Sequence, residues 1–329
     1  MAKPRIALIG TGGTIAGRGE SALNTSAYEC SVIGIDEMLA AWPEAVARAD
    51  IRTEQLFQTG SENLGSDEWL QLGRTIETWL ARDDIDGVVV THGTDTIDET
   101  AYFLHLTLKS TKPVVVVGAM RPPSALGTDG PLNLHHAIAV ATSRAACGLG
   151  VLVVANDEIH TARDVVKTST FKQEAFRSPY GPLGYVVEGV PHLYRLPARP
   201  HTVETEWSLA HLDRLPDVTI IYAHGGMRRA PFETLGANVK AIVYAATGNG
   251  NIAESVVDGL RAARARGIHV IRGSRTGGGP VVRNAAQPDD AYDWVAAGDQ
   301  VPHKARILAM LALSNGGGSV GLQRAFDRY

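Results

Sequence analysis

Short apolar runs punctuate the first two thirds of the chain, at residues 5–9, 87–91, 113–117 and 150–154, all rich in valine and isoleucine. Runs of this kind belong to strands covered on both faces, and the helical patterns between them predict a mostly parallel sheet. The clearest helices fall at 66–81, with Ser66 placed to cap it, and at 96–108. Between Tyr194 and Pro216 the pattern breaks into Leu-Pro-Ala-Arg-Pro-His-Thr-Val-Glu-Thr, which reads as an extended linker. It then restarts, with strands at 218–222, 241–244 and 269–271 and helices at 252–264, 302–313 and the C-terminus. The expectation is a two-domain α/β protein. A larger, mostly parallel N-terminal catalytic domain takes residues 1–195, a linker 196–216, and a smaller flavodoxin-like α/β domain 217–329. A length of 329 residues, beyond what one core usually serves, agrees with two domains.

A composition of 44% hydrophobic and 20% charged residues fits a compact soluble enzyme rather than a disordered chain. Net charge is −4 with both signs interspersed and no basic stripe, which argues against nucleic-acid binding. The arginines from Arg261 to Arg266 read as a solvated helix face. No run approaches the ~20 apolar residues of a membrane span. The first ten residues lead straight into a strand without the pattern of a secretory signal, so the expected location is cytoplasmic. Cys30 and Cys147 sit in no metal-binding or redox spacing.

Two strand ends carry candidate chemistry. The first is Gly10-Thr11-Gly12-Gly13-Thr14-Ile15-Ala16-Gly17. A dinucleotide fingerprint would need glycine where Ile15 stands, and no phosphate-loop motif is present. Glycines there could serve tight packing alone, but Thr11 and Thr14 at a strand's carboxyl end would face the crevice where open α/β sheets bind ligands. Gly19 through Cys30, rich in Gly, Ser, Asn and Thr, reads as a flexible loop. The second end is Thr91-His92-Gly93-Thr94-Asp95-Thr96, where Thr94 or Asp95 either caps the next helix or serves a site for a small polar substrate with an ammonium group. A hydroxyl needs a base and oxyanion donors to act as a nucleophile. No Ser-His-Asp triad can be placed among the 11 histidines, and His92 and His160 read as hydrogen-bonded structural residues. Adjacent His135 and His136 lack metal-ligand spacing, so no metal or cofactor is expected. Lys167, within Arg163-Asp-Val-Val-Lys-Thr-Ser-Thr170, is a candidate proton carrier if it lies in the crevice.

Together, Thr11-Gly-Gly-Thr14-Ile-Ala-Gly and Thr91-His-Gly-Thr94-Asp95-Thr resemble the two signature motifs of the bacterial L-asparaginase family. Pro113-Val-Val-Val-Val-Gly-Ala-Met-Arg-Pro, Asp129-Gly-Pro-Leu-Asn-Leu and Tyr180-Gly-Pro-Leu-Gly also look like family sequence, and the similarity runs from Ile6 to the end. It is closest to the high-affinity, type II-like branch, which implies a homotetramer of two-domain subunits that hydrolyses L-asparagine, with glutamine as an alternative substrate. Carried across by motif, Thr14 is the nucleophile and Tyr28 orients or activates it. Thr94, Asp95 and Lys167 form the second catalytic group, with Asp95 pairing the substrate's α-ammonium. Ser61 and Glu62 bind the α-carboxylate and α-amino end, and backbone N–H groups near Thr94 or Ala119 hold the oxyanion. The resemblance also implies residues from a neighbouring subunit. Asn249 matches one, and Gln287 stands where the family usually has glutamate, unless Asp289 takes that place.

Overall fold

The computed structural model describes residues 3–329, which form two compact units that divide between His211 and Leu212. The division falls inside the segment read as a linker. Residues up to His211 are built into the first unit, with Thr202, Thr205, Trp207 and Leu209 buried there.

The first unit centres on an eight-stranded sheet. From one edge its order is Val190–Leu193, Gly184–Val187, Glu158–Thr161, Val151–Ala155, Val114–Val117, Gly87–Thr91, Arg5–Gly12 and Asp50–Thr59. The last five run parallel, and every position of Gly87–Thr91, Val114–Val117 and Val151–Ala155 is buried, as strands covered on both faces require. Leu8, Val89, Val115, Val117, Leu152 and Val154 pack with Leu134, Ala137, Ile138 and Ala141 of the helix Gly130–Ala141. The helices Ser66–Leu80 and Ile97–Thr107 also pack against the central strands. Ser66 is the first helical residue rather than the cap. Gly65 holds the cap position, and its N–H donates to Glu68 Oε2 at 2.9 Å.

The other three strands are antiparallel and make the sheet mixed. Two tight turns build them. Asn156-Asp157 and Glu188-Gly189 both have positive φ at each central residue, the geometry of two-residue hairpin turns. Val190–Leu193 forms the outer edge, beside exposed Tyr185, Val187 and Tyr194.

Arg5–Gly12 lies between Asp50–Thr59 and Gly87–Thr91, so the chain leaves it in one direction and later returns on its other side. That reversal is where open parallel sheets bind ligands, beyond the carboxyl ends of the strands.

The second unit has four parallel strands in sequential order, Asp217–Tyr222, Val239–Ala246, His269–Ser274 and Val295–Ala296. Ile242, Tyr244 and Ala246 pack with Val256, Leu260 and Ala263 of the helix Glu254–Ala265, and the helix Pro302–Ser314 packs on the same strands. Among the described residues no helix is long and apolar enough to cross a membrane. The arginine-rich helix end is engaged locally. Arg264 pairs with Asp293, Arg266 donates to Phe232 O, and Arg261 lies over the Tyr292 ring.

Candidate active site

Glycines force the strand ends together. Gly12 and Gly13 turn the chain out of the first strand with φ of 104° and 81°, a region that L side chains rarely adopt. A Cβ on Gly13 would stand 2.2 Å from Gly93 Cα, and one on Gly93 would stand 2.7 Å from Ser61 Oγ. Three loops therefore stack closely at the carboxyl ends of three neighbouring strands. The Gly13 N–H donates to Ser31 Oγ at 2.7 Å and Thr59 O at 3.1 Å, fixing the turn. It leads into the short helix Thr14–Ala16, where Thr14 keeps 9% of its surface exposed.

The loop that follows is closed at its base by paired backbone bonds between Arg18 and Glu29 at 2.8 and 3.0 Å. This brings Tyr28 Oη to 2.6 Å from Thr14 Oγ1. Burial raises the Tyr28 phenol above its ordinary pKa, outweighing the hydrogen bond with Thr14.

Thr94, Asp95 and Lys167 form a second cluster. Lys167 lies on the hairpin Val166–Lys167 and Phe176–Arg177. Its Nζ donates to Thr94 Oγ1 at 2.8 Å and Asp95 Oδ1 at 2.6 Å, and its backbone N–H donates to Asp98 Oδ2 at 3.2 Å. Neither Thr94 nor Asp95 caps the next helix. Thr96 stands at that position, with its hydroxyl donating to Ser61 O at 2.8 Å and its N–H to Ser61 Oγ at 3.3 Å. Both candidates are thereby spared the capping role and bond to Lys167 instead, and the Asp95 side chain is 66% exposed.

Ala119 is buried just beyond the strand Val114–Val117. A Cβ on neighbouring Gly118 would meet Thr94 Cγ2 at 2.9 Å, so these two strand ends also touch. The Asp129 carboxylate accepts the N–H groups of Met120 and Arg121, while Asn133 Nδ2 donates at 3.0 Å to both Gly118 O and Asp129. Ser61 is buried; Glu62 is exposed, its carboxylate folded over Gly60.

Thr11 does not face the crevice. It is fully buried, and its hydroxyl donates to Thr91 O at 2.9 Å, bracing adjacent strands. Alternation along the strand turns Thr11 sideways, and the glycine turn aims Thr14 outward. His92 is buried, with Nδ1 2.7 Å from Gly93 O, and His160 Nδ1 lies 3.0 Å from Ser178 Oγ. Cys30 and Cys147 are free and exposed. Among the described residues no group of three His, Cys, Asp or Glu side chains could hold a metal ion.

In the second unit, exposed Asn249 accepts the Val282 N–H on Oδ1 at 2.8 Å, which leaves its amide N–H groups to offer. Gln287 is partly exposed. Asp289 is wholly buried in a two-point ion pair with Arg272, with bonds of 2.8 and 2.5 Å, and also accepts the Asn284 N–H. Arg272 in turn donates to Asn249 O at 3.0 Å and Val282 O at 2.9 Å, holding the turn that displays Asn249.

Sequence reasoning passed over Ser31, Asp98, Asp129 and Asn133 as working parts. Asp129 and Asn133 carried a signal, an acid and an amide four apart at a helix start. A lone Ser31 carried none.

Two family descriptions match the chain, "Asparaginase, N-terminal" over residues 5–199 and "Glutaminase/Asparaginase C-terminal domain" over residues 217–326. A glutaminase-asparaginase of Pseudomonas fluorescens biotype A is 48% identical over 326 residues, covering 98% of this chain and 90% of the relative. L-asparaginase 2 of Escherichia coli K12 is 41% identical over 331 residues, covering 100% of this chain and 94% of the relative. The crystal structure of a probable cytoplasmic L-asparaginase from Campylobacter jejuni superposes with a TM-score of 0.94 at 41% identity, covering 99% of this chain and 100% of the other. Matched in both of its halves and along nearly its whole length, the chain belongs to the asparaginase family of amidohydrolases.

Proposed function

We propose that this protein hydrolyses the side-chain amide of L-asparagine to L-aspartate and ammonia, with Thr14 as the nucleophile, and that it also accepts L-glutamine. The observation that carries the reading is that each of two threonine hydroxyls has its own proton partner, Tyr28 for Thr14 and Lys167 for Thr94. Thr14 Oγ1 attacks the carboxamide carbon, and its proton is relayed through Tyr28, which takes it while giving up its own, to the leaving nitrogen. Backbone N–H groups near Thr94 and Ala119 hold the oxyanion, the C–N bond breaks to release ammonia, and water then cleaves the acyl-threonine ester, returning a proton to Thr14. Exposed Asp95 pairs the substrate's α-ammonium, and Ser61 and Glu62 bind its α-carboxylate and α-amino end. Glutamine is included because a relative sharing 48% identity is named glutaminase-asparaginase. One added methylene shifts preference by only ~1–3 kcal/mol.

Asn249 and Gln287 complete the site of a neighbouring copy in a homotetramer, a reading that rests on the family likeness. Asp289, spent on Arg272, is the weaker candidate for that place.

The test is ammonia release from L-asparagine, L-glutamine and D-asparagine, measured side by side. Thr14→Ala is expected to lose at least about a thousandfold in kcat while melting like the parent. Near-normal turnover in that variant overturns the assignment.

A further inference from the structure

The segment from Arg121 to Asp129 bears none of the proposed reacting groups, yet it joins the two loops that do. On one side it receives the Tyr28 loop. The Gly19 N–H donates to Ser124 Oγ at 2.7 Å, and the Leu126 N–H donates to Ala22 O at 2.8 Å. On the other side Gly127 O accepts Gln173 Nε2 at 2.5 Å, and Gln173 lies in the connection of the hairpin that carries Lys167. Internal bonds brace the segment, with Thr128 Oγ1 donating to Arg121 O and Arg121 Nη1 to Gly127 O, each at 3.1 Å.

We infer that Ser124 and Gln173 are positioning residues, two ends of one strap that sets Tyr28 and Lys167 together. The inference rests on the amide-hydrolysis reading, in which those side chains handle protons for one reaction. The Tyr28 loop is short of apolar side chains, and in the hairpin only the base is packed, with Val165, Ala175 and Phe176 buried while residues 168–174 stay at the surface, so neither loop's outer part has a core of its own to order it. Ordering a loop costs conformational entropy, and a shared strap lets the ordering of one loop support the other.

The experiment alters each end separately. Ser124→Ala removes the acceptor for Gly19, Ser124→Thr retains a hydroxyl, and Gln173→Glu turns a carboxylate toward Gly127 O. The kcat for asparagine is expected to fall about tenfold in Ser124→Ala and in Gln173→Glu, with KM changed less, and to stay near the parent value in Ser124→Thr. The double variant should fall no further than the lower single, because both changes cut the same strap. Protease cleavage within residues 19–27 should also quicken in Gln173→Glu, although that side chain bonds to the other loop. Strictly multiplying losses, or cleavage at the parent rate in Gln173→Glu, overturn the strap. Thr14→Ala is assayed alongside. If it is inactive while the strap variants keep full activity, the strap fails and the hydrolytic reading stands. If it is active, that reading fails and the cleavage rates still decide the strap.

Discussion

Tyr28 enters the proposed reaction with its proton in place, because burial holds the phenol above its ordinary pKa. It can take the Thr14 proton only while passing its own onward, so the pair works as a relay rather than as a nucleophile beside a standing base. His92 is perturbed in the opposite sense. Burial pushes its imidazole down to about 4, so at neutral pH the ring is uncharged, and Nδ1–H donates to Gly93 O at the contact with Gly13. With the folded value below the unfolded one, the unfolded chain takes up the proton first as the solution is acidified. The stability held by neutral His92 is complete above its ordinary pKa and is lost as pH falls from there toward 4, by roughly 3 kcal/mol in all. His92→Asn keeps a donor near Nδ1 and removes the titration. Denaturant unfolding at pH 7 and pH 4.5 should show a loss about 2 kcal/mol smaller in the variant than in the parent. His136, His201 and His269, also held low by burial, are present in both proteins and cancel in the comparison. Equal losses would remove His92 from the account.

At the scale of turns and strands, Gly13 makes the sharpest demand. Any side chain there meets Gly93 backbone at 2.2 Å and a φ of 81°, so Gly13→Ala must part the loops bearing Thr14 and Thr94. Expected outcomes are a lower melting temperature and a kcat reduced by about a hundredfold, since displacements near 1 Å have that effect. Gly34→Ala is the control, because its Cβ would meet only Gln55 Oε1 at 4.0 Å, and it should behave as the parent. Equal activity of the two variants would show that the contact is not needed. The two threonine turns were legible in the sequence because glycine beside hydroxyl at a strand's end is a local pattern, as were the buried valine strands. The antiparallel edge was not. Asn156-Asp157 carries a hairpin signal weaker than a pair ending in glycine, whereas Glu188-Gly189 hides its turn behind a residue seldom found with positive φ. Thr11 was misplaced because a motif does not say which alternate side chains point into the sheet. The Asp129 and Asn133 bonds link positions that periodicity treats separately.

For the whole molecule, the proposed sharing of sites between copies has a direct test. Thr14→Ala and Asn249→Ala subunits, mixed and allowed to exchange, should regain activity above the weighted mean of the parents, since some interfaces then carry neither lesion. Activity that stays at the mean despite proven exchange would place the whole site within one copy. The outer edge of the large sheet bears on a different property, behaviour in crowded solution. Tyr185, Val187 and Val190 are exposed beside a strand whose far side no other strand covers among the described residues, and such an edge is a template for pairing with another chain. Pro191, inside that edge strand, supplies no N–H and so interrupts the row of donors an incoming strand would need. One pyrrolidine ring thus guards against uncontrolled sheet growth, leaving the apolar side chains around it free to meet a partner by their faces alone.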